Sequence, residues 1–475
     1  MLTRKAGLAE AGRRTLRSLW NQAQGYRPLE GSDLLDSTHR MRTASSALGG
    51  EPASAMVADP DWMTCLQEVC ELLWPAPAMI TVETSEARSG LSRAFQRWAK
   101  DSEQAGDGEF TLVPGFRQPP LLVPTSRSAA SVAVRHYNGP RSPTARLCVN
   151  VLSLALGRGL GGAVLRGRVR VTAPAGSETI EAYLRRVTSR DIRVSMYLGP
   201  ARANRKPVLQ LVTGSGETAG FAKVGINPLS RSLVRAERDA LTLLSEAGLT
   251  EVSIPRVLHH GEWNGLDVLV LSALPAWQRR RPLPAARLAA AMCELARVGG
   301  LRQETLSGGD YLARLRSRLA AADDGADRTA LLRMLDVLPA STDGATLTVG
   351  SWHGDWAPWN MANTSRGLMV WDWERFASGV PVGFDALHHW LQVEVSMAHR
   401  NARAAAARCV EEAPQLLAPF GIGARAARLT AVLYLADLAT RYLADRQAEA
   451  GAPLGAPGVW LIPAVGEVIG PGTWS

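Results

Sequence analysis

The stretch Ser351–Phe376, SWHGDWAPWNMANTSRGLMVWDWERF, packs five tryptophans around His353, Asp355, Asn360 and Asp372. A plain core segment does not carry so many carboxylates and amides, because each buried polar group needs a partner to offset its lost hydration. Either these groups satisfy one another or they hold a ligand.

The chain has 475 residues, 46% of them hydrophobic, enough for two or three domains with their own cores. It has no uncharged apolar run of ~18 residues. The nearest candidate, LCVNVLSLALGRGLGGAVL, holds Asn150, Arg158 and four glycines, so no membrane span is expected. The N-terminus is basic and somewhat amphipathic but lacks a continuous apolar core and a small-residue cleavage site, which points to the cytoplasm. Cys65, Cys70, Cys148, Cys293 and Cys409 are odd in number and form no paired C-x-x-C clusters, so they read as reduced, buried thiols. Net charge is +9, carried by 49 arginines and only four lysines, Lys5, Lys100, Lys206 and Lys223. A lysine in apolar surroundings therefore has unusual weight. No basic run is interleaved with aromatics, so no nucleic-acid partner is expected.

Residues 1–58 are rich in Ser, Gly, Ala and charge and read as a flexible basic segment. From Asp59 the pattern tightens. WMTCLQEVCELLW and LSRAFQRWAKD have helical spacing, and FTLVPGFRQPPLLVPT has two short apolar runs about a turn, so 59–175 reads as an accessory α/β region. In 176–281 a short helix, TIEAYLRRV, precedes the strands IRVSMYLG, PVLQLVT and GFAKVG, then a helix, SLVRAERDALTLLSEAG. A hairpin follows, with Asn264-Gly265 suited to a tight primed turn. Residues 282–475 read as nearly all helical apart from the opening stretch. His259 and His260 read as a hairpin arm, and His388 and His389 as packing residues.

In HGDWAPWN, Asp355 and Asn360 lie five residues apart, the spacing of the aspartate and asparagine of the kinase catalytic loop, and Asp372 follows twelve residues later at the end of a short apolar strand. Phosphoryl transfer needs these types: a carboxylate to orient a hydroxyl, and hard oxygen ligands for magnesium. Upstream, Lys223 sits in a strand and Glu237 in the following helix. With these elements in place, residues 178–450 resemble the aminoglycoside phosphotransferase and choline kinase-like family, small-molecule relatives of protein kinases. The resemblance implies an α+β, bilobal protein kinase-like fold, with an antiparallel-sheet N-lobe and a helical C-lobe. It also implies Asp355 as catalytic base, Asn360 and Asp372 as magnesium ligands, Lys223 paired with Glu237 at the phosphates of ATP, and His353 bracing the loop. Asp385 would cap a helix and steady the catalytic loop. Adenine would meet the backbone of the hinge from Ser272 to Leu274.

Three departures from protein kinases argue against a protein substrate: GPARANRKP lacks the glycine-rich pattern, HGD replaces HRD, and no A-P-E follows Asp372. Arg202, Arg205 and Lys206 in that turn either meet triphosphate charge or form an exposed hairpin tip. The five tryptophans wall the loop as core or, for one of them, stack on a substrate ring. Turn residues capping helices and strands are the plain alternative for Asp355, Asn360 and Asp372. The expected activity is ATP- and Mg2+-dependent phosphorylation of a hydroxyl on a small-molecule substrate. A catalytically silent kinase-like module that binds nucleotide, or none, and serves as a scaffold through residues 59–175 is the rival, and such modules usually lose a lysine, base or metal aspartate that this chain keeps. An aminoglycoside kinase fits less well, because residues 377–475 carry eight acids against seven arginines.

Overall fold

Strand pairing begins well before the expected N-lobe and runs through it without a break. The structure, a computed structural model, describes residues 60–83, 108–113, 120–136, 143–161, 165, 167–342, 344–452 and 454–468. The segment LSRAFQRWAKD and residues 1–58 lie outside the described residues. The described residues open with α1 (Pro60–Leu73), β1 (Met79–Glu83), β2 (Gly108–Val113), β3 (Leu121–Pro124), α2 (Arg127–His136), α3 (Pro143–Gly157) and β4 (Arg168–Thr172). Next come α4 (Ile180–Thr188), β5 (Ile192–Leu198), β6 (Pro207–Thr213), β7 (Thr218–Gly225), α5 (Pro228–Glu246), β8 (Val252–Ser253), β9 (Val257–Trp263) and β10 (Leu266–Leu271). Then follow α6 (Ala285–Ala296), β11 (Arg302–Thr305), α7 (Asp310–Ala320), α8 (Ala326–Ser341), β12 (Thr346–Trp352), β13 (Met361–Thr364), β14 (Gly367–Val370) and β15 (Ala377–Pro381). The last helices are α9 (Phe384–Gln392), α10 (Ala402–Leu417), α11 (Ala424–Ala444) and α12 (Leu461–Val468), with a π-helical turn, Val393–Met397, after α9.

Two compact units form. The sheet unit takes the chain up to Pro200, Arg205–Ile226 and Leu258–Gln278, and the helical unit takes Ala201–Asn204, Asn227–Val257 and the chain from Arg279.

Among the described residues, the sheet unit is built on nine strands in the order β1-β4-β2-β3-β5-β6-β7-β10-β9. Strands expected in the accessory region join those of the expected N-lobe where Leu121 and Leu122 of β3 pair with Tyr197 and Met196 of β5. One core serves both: Trp62, Leu66, Phe110 and Leu122 pack in the same cluster as Ile180, Leu184, Val194, Leu209, Val224 and Val268. The expected division at 175/176 thus falls inside a shared sheet and core. Thr179 starts α4 by accepting a hydrogen bond from the Ala182 amide, and the helix buries Ile180, Tyr183 and Leu184. Burial of such side chains contributes about 1.5–3 kcal/mol each. The β9–β10 turn has positive φ at Asn264 (47°) and Gly265 (73°), the conformation a primed hairpin turn requires. His259 and His260 lie on β9, as expected, and His259 Nε2 meets the Tyr183 hydroxyl at 2.8 Å.

In the helical unit α5 begins with a capping box: Asn227 Oδ1 accepts from Ser230 N at 2.8 Å, and Ser230 Oγ accepts from Asn227 N at 3.0 Å. The expectation of a nearly all-helical chain past Pro282 needs correction. Two small sheets, β11-β12-β15 and β13-β14-β8, are present. The alternation in TLTVGSW, which buries Leu347 and Val349, makes β12 a strand held on both sides. α11 is buried on nearly every face from Leu429 to Thr440, which makes it the central helix of the unit. No single described helix is long and apolar enough to cross a membrane, and α10 with α11 passes that test only as a pair bent by 114°. All five cysteines are free thiols. Cys70, Cys148 and Cys409 are buried as expected, whereas Cys65 and Cys293 are only half-buried.

Candidate active site

Within the helical unit, β12 delivers the chain into the HGD loop, and nearly every backbone group there is tied down. Gly354 has φ 84°, and a Cβ at this position would stand 2.2 Å from the Arg375 carbonyl oxygen, so only glycine fits. His353 is fully buried and burial pushes its imidazole down to about 4, which keeps it neutral. Its Nε2–H donates to Trp371 O at 3.1 Å, and Nδ1 accepts from Asp355 N at 3.1 Å, so His353 braces the loop as expected. Arg441 of α11 donates to Gly354 O at 2.6 Å.

Asp385 steadies this loop by a route different from the one expected. It sits in the first turn of α9, whose N-cap is Gly383 with no side-chain cap, so Asp385 does not cap its helix. Its carboxylate instead accepts from His353 N at 2.8 Å and Gly354 N at 3.2 Å. Burial raises this carboxyl to about 7 against the two backbone hydrogen bonds, which act to lower it. Trp352, Trp356 and Trp373 are buried around the loop, while Trp359 and Trp371 are half-buried.

Asp355 keeps 29% of its side chain exposed and has both oxygens held. Asn360 Nδ2 donates to Asp355 Oδ2 at 3.0 Å and to Asp355 O at 2.9 Å, and His388 Nε2 meets Asp355 Oδ1 at 2.8 Å. Burial alone would raise the Asp355 carboxyl. The His388 hydrogen bond, with His388, Arg441 and His353 close by, outweighs burial and holds it well below the usual carboxylate range. His388, expected as a packing residue, is fully buried but bonds the loop's carboxylate directly. Its signal in the sequence was its place three residues after Asp385, on the same helix face.

Asn360 ends a 3₁₀ turn, Pro358–Asn360, and its backbone carbonyl accepts from Trp371 N at 3.0 Å. With Met361 paired to Val370, the β13–β14 hairpin brings Asn360 and Asp372 to one end. Asp372 has φ 73°, rare for a residue with a side chain and a feature that clusters at functional sites. Carboxylate oxygens of Glu237, Asp372 and Glu374 lie within 4.8 Å of one another. Glu237 also accepts from Trp373 N at 3.2 Å, and Glu374 from Asn204 Nδ2 at 3.2 Å. Glu374 was not singled out from the sequence, although it stands in the WDWE motif. Magnesium takes hard oxygen ligands. The Glu237, Asp372 and Glu374 carboxylates are donors of that kind, and with the Asn360 amide nitrogen engaged by Asp355, the carbonyl oxygen is the ligand atom that side chain has left to offer.

The remaining expected residues are spread over both units. Lys223 is buried in β7 of the sheet unit, between Val208 of β6 and Leu269 of β10. Ser272 and Leu274 follow β10 in irregular chain, where the Ala276 amide donates to Leu274 O at 2.7 Å. In the β5–β6 turn Arg202 is exposed, Arg205 and Lys206 are half-buried, and Arg205 Nε donates to Pro200 O at 3.1 Å. Arg202 lies in the helical unit, in a tip that Gln447 meets at the Ala203 amide and Asn227 at the Ala203 carbonyl.

Residues 218–443 match the sequence model of the phosphotransferase enzyme family. No sequence match is found among curated proteins. Among solved structures, the aminoglycoside phosphotransferase APH(3'')-Id from Streptomyces rimosus, in complex with ADP and streptomycin, is 17% identical, with 55% of this chain and 97% of that chain covered and a TM-score of 0.35. A putative fructosamine-3-kinase from Haemophilus somnus is 14% identical, with 60% and 96% covered and a TM-score of 0.37. LicA in complex with AMP is 13% identical, with 61% and 96% covered and a TM-score of 0.41. The resemblance carried by HGDWAPWN and WDWE is borne out: over residues 218–443 this chain is similar to the phosphotransferase enzyme family, with its antiparallel sheet and helical part.

Proposed function

We propose that the chain is an ATP- and magnesium-dependent phosphotransferase acting on a hydroxyl of a small molecule. The observation that carries this reading is the Asp355–Asn360 hydrogen bond on a braced loop, with Asp372 at the same hairpin end. In the step, the acceptor oxygen bonds to the γ-phosphorus, the bond from that phosphorus to the β-phosphate oxygen breaks, and ADP leaves. Asp355 takes the hydroxyl proton. Its low basicity makes orientation of the hydroxyl its main task, which suits a loose transition state with late proton transfer. Asn360 and Asp372 would hold magnesium, which when bound neutralises charge on the phosphate oxygens. Lys223, oriented by Glu237, would contact the phosphates, and the backbone from Ser272 to Leu274 would receive the base.

A polycationic acceptor fits this reading less well. Seven of the eight acids after Ala377 are already engaged: Asp385 binds backbone amides, and Glu394, Glu412, Asp437, Asp445, Glu449 and Glu467 each meet an arginine, which leaves Glu411 alone outside this set. A pocket for polyamine drugs needs acids that are not already compensated.

The test compares Asp355→Asn with Asp372→Ala in a magnesium-ATP titration and an ATP-consumption assay. Asp355→Asn should bind normally and turn over about 10²–10⁴-fold more slowly. Asp372→Ala should lose turnover and magnesium-dependent binding together. The opposite pattern would overturn the assignment of base and metal ligand, and a wild-type chain that does not bind magnesium-ATP would favour a scaffold.

A further inference from the structure

α9 holds the HGD loop through two side chains on one face. Asp385 takes the amides of His353 and Gly354, and one turn later His388 reaches the Asp355 carboxylate itself. Behind His388 stands Tyr434 of α11, with its hydroxyl 3.0 Å from His388 Nδ1. Both His388 and Tyr434 have no solvent exposure, and the tyrosine ring is wedged edge-on against Phe384 at 5.6 Å and against the imidazole at 6.0 Å.

This arrangement selects one tautomer. Burial pushes the Tyr434 phenol well above its ordinary value, so its O–H stays protonated and donates. Nδ1 of His388 must then accept, which puts the ring hydrogen on Nε2, facing Asp355 Oδ1. Burial also lowers the His388 imidazole and favours this neutral form. The inner end of this route, Tyr434, has no solvent exposure. The chain of hydrogen bonds therefore holds geometry.

The geometry points to His388 as a positioning residue for phosphoryl transfer: its Nε2–H fixes Asp355 Oδ1 while Asn360 fixes Oδ2, so the carboxylate offers a single orientation to the incoming hydroxyl. This inference rests on the phosphotransferase reading. It assigns to Tyr434, one hydrogen bond behind His388, the task of fixing which nitrogen of His388 donates.

The experiment uses the full chain, with magnesium-ATP as substrate and water as acceptor, and compares His388→Leu, His388→Gln and Tyr434→Phe. His388→Leu should lower kcat about 10- to 100-fold, the scale of a misplaced catalytic group, with the KM for magnesium-ATP unchanged. His388→Gln, which keeps an N–H donor, should recover most of the loss, and Tyr434→Phe should fall between them. In protein labelled with ¹⁵N at its eight histidines, the His388 signal, identified by its absence in His388→Gln, should report the neutral Nε2–H form. Asp355→Ala should move that signal, and Tyr434→Phe should mix the tautomers. An Nδ1–H tautomer, equal kcat losses in the Leu and Gln variants, or a loss confined to KM would each overturn the positioning role. A wild-type chain that neither binds nor consumes magnesium-ATP would overturn the phosphotransferase reading, and the catalytic role of His388 with it, even with the tautomer as expected.

Discussion

Replacing Asp385 with asparagine should change stability by an amount that depends on pH, because one buried carboxyl both holds two amides and titrates. Its ordinary value is 3.8 and burial raises it to about 7. Below the ordinary value, both folded and unfolded chains carry the proton. Between the two values only the folded chain keeps it, so stability falls as pH rises, by about 1.4 kcal/mol per pH unit, and the fall stops above the folded value. Integrated from about pH 5 to about pH 8, the loss is roughly 2–3 kcal/mol. Asparagine does not titrate, but it offers one acceptor oxygen where the carboxylate offers two, so one of the amides of His353 and Gly354 is left without its bond. An unsatisfied buried N–H costs about 1–3 kcal/mol. Asp385→Asn should therefore be clearly destabilising near pH 5 and close to neutral, or stabilising, near pH 8. Urea denaturation followed by tryptophan fluorescence at both pH values measures the difference, and groups unchanged by the substitution cancel. A destabilisation equal at the two pH values would refute the argument that burial outweighs the two amide bonds at this carboxyl.

Gly354→Ala should disrupt the loop outright: the left-handed conformation alone costs about 1–2 kcal/mol for a residue with a Cβ, and that Cβ meets a backbone carbonyl that cannot swing away. Melting temperature and magnesium-ATP turnover should both drop, and a variant with wild-type values of both would show that the loop lies differently. Arg375 and Asp445 form an ion pair with 17% and 8% of their side chains exposed, so Arg375→Leu should destabilise by about 3–5 kcal/mol. The Arg375→Leu/Asp445→Leu pair should recover much of that in denaturation experiments, since it leaves no uncompensated buried charge. If Lys223 and Glu237 act together on the phosphates, the turnover losses of Lys223→Ala and Glu237→Ala should fail to multiply in the double variant, whereas independent losses would remove the pair. Glu237→Ala should also lower the melting temperature, because the Trp373 amide loses its acceptor.

The parts of the site legible in the sequence were those fixed by short-range chemistry. Asp355 and Asn360 bond across a single 3₁₀ turn, and the Asn264-Gly265 turn follows from the only residue types that tolerate its backbone. His388 reads from the sequence as a packing residue because its bond to Asp355 spans 33 residues and depends on how α9 packs on the loop. The role of Asp385 was half visible: an acid at a helix start usually serves its own helix, and only tertiary packing turns it toward the amides of another segment. Glu374 was hidden by its neighbours, since WDWE draws attention to Asp372. The β3–β5 junction pairs only two residues on each strand, across more than seventy positions, and no local pattern announces such a contact.

The shared sheet has a practical corollary for anyone trimming the chain to its family-matched region. A fragment beginning at residue 218 would start on β7 and strip away β6, exposing a long row of amides and carbonyls that β6 now covers from Val208 to Val212. Even a gentler cut at 176 would uncover β5 on its β3 side and strip from the shared core the side chains that α1, β2 and β3 bring to it. Such raw edges invite strand exchange between molecules. The strands β1–β4 thus act as the sheet's protective flank, and their removal should be read first as a change in solubility before any loss of turnover is assigned to a missing regulatory domain.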